Sequence, residues 1–129
     1  MRMLVDAHAL LWWLGGDRRL SKAASKAIES ADSPLVGAGT LVEIAIKRSI
    51  GKLLIDEDWP QQTKEDGFGV LDIDWSHVAR LQDLPFAELG GRPHRDPFDR
   101  LLAAQALSER LPIVTRDPAL AAYGVAMIW

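Results

Sequence analysis

The sequence predicts an α/β fold, a three-layer α/β/α sandwich built on a four- or five-stranded parallel sheet. Three observations predict it. Short apolar runs of strand length alternate with longer helical patterns, Gly and Pro punctuate the junctions, and acidic residues recur where an apolar run gives way to a helix. Strands separated by helices join through right-handed crossovers, which makes the sheet parallel and covers both its faces. A length of 129 residues with 48% hydrophobic content suits one domain, residues 1–129, with a sizeable core.

Met3 to Val5 reads as a buried strand, and Ala9 to Leu14 as a helix that Gly15-Gly16 terminates. Ser21 to Ala31, with an N-cap serine and mixed charges, reads as a surface helix. Pro34-Leu35-Val36 is a second strand, and Gly37 to Gly39 turn the chain into a helix from Thr40 to about Ile50, stopped by Gly51. Asp58-Trp59-Pro60 opens a helix toward Asp66-Gly67. Phe68 to Leu71 is a third strand, and Asp74 caps a helix to about Leu81. Residues 84–95, rich in Pro and Gly, read as a loop. Asp96-Pro97 opens a long helix to about Arg110, Ile113-Val114 is a fourth strand, Asp117-Pro118 opens a short helix, and Val125 to Trp129 is a last strand. The sequence shows no repeat, linker or low-complexity segment.

Composition narrows the chemistry. Zero cysteines exclude disulfides, thiolate metal sites and thiol nucleophiles, and fit a reducing compartment. The apolar start is broken by Asp6 and His8 without a small-residue cleavage site, so neither a signal peptide nor a membrane span is expected, and the protein is expected to be cytoplasmic. A formal net charge of −3 argues against broad nonspecific nucleic-acid binding, although metal would neutralise part of it.

Asp6, Glu43, Asp99 and Asp117 are the candidate catalytic and metal-binding residues, with Asp96 as a nearby extra carboxylate. In parallel sheets, ligands bind where the carboxyl ends of strands meet the following helices. Each aspartate also has a structural reading, since Asp6, Asp96 and Asp117 precede helices and Asp99 suits the positive end of the helix dipole. Capping does not explain the second carboxylate at Asp99, nor Glu43 among Leu41, Val42, Ile44, Ala45 and Ile46. Lys47, four residues on, is an alternative partner for Glu43. Converging carboxylates cannot all stay ionised without a cation, and oxygen ligands favour magnesium, with manganese able to substitute. One or two such ions could activate water against a phosphodiester.

Cations bracket these acids. Arg92, His94, Arg95, Arg100 and Arg116 are candidate RNA-binding residues, because guanidinium groups fork onto phosphate oxygens. Lys47, Arg48 and Lys52 are as readily solvated charges. Thr115 could bond a metal-bound water or a phosphate, and His8 and His94 could each be a ligand, a general base or, more often for a lone histidine, a supporting or surface group. Trp12 and Trp13 could stack on bases, but a helical tryptophan pair is more often core and subunit interface, which is the expectation here.

The chain resembles the PIN-domain ribonucleases, especially the VapC-type toxins of toxin-antitoxin modules. Leu4 to Leu14 around Asp6 looks like the first motif, Glu43-Ile44-Ala45-Ile46-Lys47 with Gly51-Lys52-Leu53 the second, His94 to Ala106 the third, and Thr115-Arg116-Asp117 the fourth. The resemblance implies a magnesium-dependent endoribonuclease, an acidic quartet of Asp6, Glu43, Asp99 and Asp117, a cognate antitoxin that blocks the pocket, and a homodimer formed through the first helices. Ala7 stands where the family usually carries a hydroxyl residue, which implies weaker support for Asp6 and reduced metal affinity.

Three other readings fit the residues less well. A phospho-receiver module needs paired acids after the first strand and a lysine after the last, whereas Asp6 stands alone and only Asp72 suits the phosphoacceptor position. A haloacid-dehalogenase-type phosphatase needs a second aspartate where His8 stands. A catalytically idle PIN-like binding fold is the third.

Overall fold

The computed structural model describes residues 2–129. β1 (Leu4–Val5) runs into α1 (Ala7–Leu14), followed by α2 (Lys22–Ser30), β2 (Leu35–Gly37), α3 (Ala38–Ser49) and α4 (Trp59–Glu65). β3 (Gly69–Leu71), α5 (Trp75–Asp83), the short strands β4 (Glu88–Leu89) and β5 (Arg92–Pro93), and α6 (Pro97–Glu109) come next. β6 (Ile113–Val114), α7 (Pro118–Ala121) and β7 (Met127–Ile128) close the order. Five strands form one sheet in the order β3-β2-β1-β6-β7, and every pairing is parallel. The three-layer expectation and its five-stranded option both hold.

Alternation along the strands divides the core in two. Val5, Val36 and Val114 pack with Ala9 and Leu10 of α1, Ala24 and Ile28 of α2, and Trp59 of α4. Leu4, Leu35 and Ile113 point the other way, onto Leu102, Ala103 and Ala106 of α6 and Leu120 of α7. Leu4, Val5, Ile113 and Val114 are 0% exposed, each burial worth about 1.5–3 kcal/mol. Sequence runs that are apolar throughout follow from this, because both faces of β1 and β6 are covered.

Close approach of α3 to α6 requires Gly39: a Cβ there would stand 2.5 Å from Leu101 Cδ2. α6 is buried on most sides, against α3, α5 and the sheet, and its Gln105 ties it to the end of β3 through the Leu71 and Asp72 carbonyls at 3.3 Å each.

The 84–95 stretch is more ordered than its composition suggests. β4 and β5 pair antiparallel, Leu89 with Arg92, around Gly90 and Gly91 at φ 59° and 76°. Two successive positive φ angles define the tight hairpin turn that only glycine adopts without strain.

Candidate active site

The sheet order reverses direction between β1 and β6. The chain leaves β1 toward β2 on one side and reaches β6 on the other, which opens a crevice at their carboxyl ends. Asp6 and Thr115 are the residues immediately beyond those two strands, joined by the Asp6 N–H to the Val114 carbonyl at 3.2 Å. Asp6 is 7% exposed. Its Oδ1 accepts from the Ala9 N–H at 2.8 Å, the N-cap bond of α1, and its Oδ2 accepts from the Thr115 hydroxyl. Thr115 Oγ1 also accepts from the Asp117 N–H at 3.0 Å, which binds the next acid to the same junction. Burial raises the Asp6 carboxyl above its ordinary value, opposed by the bonds from Thr115 and Ala9, with the Asp117 charge adding to the rise.

Asp117 caps α7 through the Ala119 N–H at 2.9 Å. Asp96 caps α6, its Oδ1 accepting from the Phe98 and Asp99 N–H groups at 3.0 Å each. Asp99 follows in the first turn of α6, where capping is already complete. Burial, then the negative charges of Asp96 and Asp117, push its carboxyl up to about 6, against the pull of His94. The described hydrogen bonds to Asp99 and Asp117 each use a single carboxylate oxygen.

His94 links this carboxylate to the second half of the core. One ring nitrogen lies 3.2 Å from Asp99 Oδ2 and the other 2.8 Å from the Tyr123 hydroxyl, which also donates to the His94 carbonyl at 3.3 Å. Tyr123 was not among the sequence candidates. No local signal marks it, since it meets His94 across 29 residues.

Asp6 therefore lies within electrostatic reach of Asp117, and Asp99 within reach of Asp96 and Asp117. Glu43 is placed differently. It is buried on α3, which packs against α1 and α6, and its Oε2 meets Lys47 Nζ at 3.0 Å, the alternative partner noted in the sequence. Arg100, expected at RNA, is turned inward. Its guanidinium is held by the Leu84 carbonyl at 2.9 Å and the Tyr123 hydroxyl at 3.2 Å, and lies 3.9 Å from the Phe86 ring centroid. Arg92, Arg95 and Arg116 are exposed, and His94 is half-buried.

The donor set suits a hard divalent cation, being carboxylates throughout. Crowding supports the fit, because like charges that raise each other's proton affinity are relieved by a cation. Among the described residues no three acidic or histidine side chains are gathered around one point. No helix among the described residues is long and apolar enough to cross a membrane.

Comparisons relate the whole chain to known proteins. Residues 3–126 match the family model of the PIN domain. The chain is 35% identical over 122 residues to Ribonuclease VapC22 of Mycobacterium tuberculosis, a match covering 89% of this chain and 86% of that protein. Its fold is similar to VapBC2 from Rickettsia felis bound to a DNA fragment from their promoter, with a TM-score of 0.71, 12% identity, and coverage of 98% of this chain and 97% of that one. A toxin-antitoxin complex from Klebsiella pneumoniae is similar with a TM-score of 0.58 and 18% identity, covering 89% and 86%.

Proposed function

The chain is a VapC-like member of the PIN-domain family, and we propose that it is a magnesium-dependent endoribonuclease, the toxin of a toxin-antitoxin pair. The observation that carries this reading is the crevice at the β1–β6 switch point. Two adjacent strand ends deliver Asp6 and the Thr115–Asp117 pair there, and α6 brings Asp99, with a carboxyl at about 6, within electrostatic reach. Asp6, Asp99 and Asp117 would hold magnesium, with Asp96 beside them. Glu43 joins them only by exchanging its bond to Lys47 for the ion.

A bound magnesium ion would supply Lewis-acid polarisation of the phosphoryl oxygen and a more acidic water. The protein's own residues orient and hold. Thr115 fixes Asp6, His94 fixes Asp99, and the exposed Arg92, Arg95 and Arg116 hold the RNA backbone through charge-assisted bonds. The Klebsiella and Rickettsia neighbours support an antitoxin partner for this chain. A homodimer and a cytoplasmic location complete the proposal.

The test is cleavage of a single-stranded or looped RNA with and without magnesium. Cleavage is expected only with the ion and is expected to vanish in Asp6→Asn while the circular dichroism spectrum is unchanged. Metal-independent cleavage, or full activity in Asp6→Asn, would refute the reading.

A further inference from the structure

An aromatic group adjoins the acidic crevice, and of its members only Arg116 has a part in the chemistry above. Trp12 of α1 and Trp129, just beyond β7, meet edge to face with centroids 5.8 Å apart. The Arg116 guanidinium lies 4.6 Å from the Trp12 centroid and 5.8 Å from that of Trp129. The His8 ring is 5.6 Å from Trp12, tilted by 30°. Trp12 and Trp129 are half-buried, and His8 and Arg116 are exposed. The Arg19 guanidinium also lies 5.1 Å from the Trp12 centroid, so a base stacking on Trp12 would take the place of one of these two solvent-facing guanidinium groups. Together with Asp6 and Asp117, the residues His8, Trp12, Arg116 and Trp129 line an open cleft of about 270 Å³.

The geometry points to a nucleobase subsite: an unpaired base of the RNA stacks in the cleft of Trp12, Trp129 and Arg116, next to the carboxylates that act on the adjoining phosphodiester. This rests on the ribonuclease reading and adds the substrate feature that the site selects. Bases stack on aromatic faces and on guanidinium planes, and a guanidinium lying on a ring keeps its in-plane N–H donors for phosphate. Chemistry favours a base over a protein segment, since two indole rings and a guanidinium lie beside the carboxylates that would face the adjoining phosphodiester. Position favours it too. Trp12 sits two turns into the helix that Asp6 caps, and Arg116 stands between Thr115 and Asp117, so stacking and cutting are held in one register. A base seated there must leave its stack, which selects single-stranded or looped RNA against duplex.

The experiment uses the full chain and a short fluorescein-labelled single-stranded RNA, intact or with abasic positions. Binding is read by anisotropy in EDTA, and cleavage of the same RNA is read in magnesium. Trp12→Leu, which keeps apolar bulk without an aromatic face, is expected to weaken binding roughly tenfold and to erase the preference for intact over abasic RNA. Trp12→Phe is expected to stay within about threefold of wild type. Trp75→Ala, at a residue 88% exposed on α5, is expected to change neither readout. Base-independent binding in the wild type, or wild-type binding in Trp12→Leu, overturns the subsite. If Trp12→Leu instead keeps RNA binding and loses a co-expressed small partner protein, the cleft is a protein-docking site and the subsite is likewise overturned. Base-dependent binding without cleavage of any RNA refutes the ribonuclease reading alone, and magnesium-dependent cleavage indifferent to Trp12 refutes the subsite alone.

Discussion

Asp6 and Asp99 share one crevice, but the molecule secures them by different means. Asp6 is clasped between two central strands, 7% exposed, with one oxygen bonded to the Ala9 backbone and the other to Thr115. Asp99 stands in the first turn of α6, where its one described bond comes from His94, and His94 is steadied in turn by Tyr123. The sheet's own register places the first carboxylate, whereas side chains brought together from distant segments place the second. Changes around Asp6 should therefore cost stability as well as activity while the fold persists, and changes around Asp99 should tune activity with little cost to stability.

Asp6→Asn gives the sharpest contrast. Loss of a group that merely orients a metal ligand costs about 10–100-fold in affinity or activity, so loss of the ligand itself should exceed that in a magnesium-dependent RNA cleavage assay. Next comes Thr115→Val, which strips one oxygen of Asp6 of its donor. A magnesium titration of cleavage should show a loss of about 10–100-fold, and urea unfolding a loss of about 1–3 kcal/mol. Unchanged stability would mean that the sheet junction is no more demanding than the helix start.

His94→Ala should lower activity by about tenfold while the urea midpoint moves little, and His94→Gln, which retains a donor, should recover part of the loss. A large loss of stability in His94→Ala would erase the distinction between the two carboxylates.

Acid should act on both in the same sense, because burial raises the Asp6 carboxyl as well. The Asp99 carboxyl is raised from 3.8 to about 6, so between those values the folded state binds more protons than the unfolded state. Its contribution therefore makes the metal-free protein more stable as pH falls from about 7 toward 4. Asp17, held at about 2 by Arg19, acts in the opposite sense, but only below about pH 4. Unfolding in EDTA at pH 7 and pH 5 should show the gain in the wild type and a flatter dependence in Asp99→Asn. The smallest effect is expected from Lys47→Ala. It removes an i, i+4 pair worth a few tenths of a kcal/mol, and cleavage should change by no more than about threefold.

The same distinction governs what could be read in the sequence. Local rules suffice for the strand runs and for the caps at Ser21, Asp74, Asp96 and Asp117, because each depends on residues within one turn. The hairpin was legible too, since Gly90-Gly91 between short extended pairs is a turn signature, but the surrounding prolines and charges suggested a loop. Tyr123 behind His94, Thr115 on Asp6 and the inward turn of Arg100 were not legible, because each partner lies far along the chain. Trp12, expected at a subunit contact, lines the crevice beside Arg116 and Trp129, which its helical spacing alone does not reveal. Trp13 packs its ring on Phe68 and donates to Asp66 at 3.0 Å.

Arg100 has a consequence for how this chain can change in length. It directly follows Asp99, and its guanidinium is anchored on the Leu84 carbonyl beside Phe86, so one turn of α6 carries both a reactive carboxylate and the peg that fastens the hairpin's base. Extra residues at the Gly90–Gly91 tip extend the arm into solvent and leave that peg seated. The same residues inserted after Leu84 would pull its acceptors away and strand a buried cation. The tip is therefore free to vary in length, while the base is bound to a fixed one.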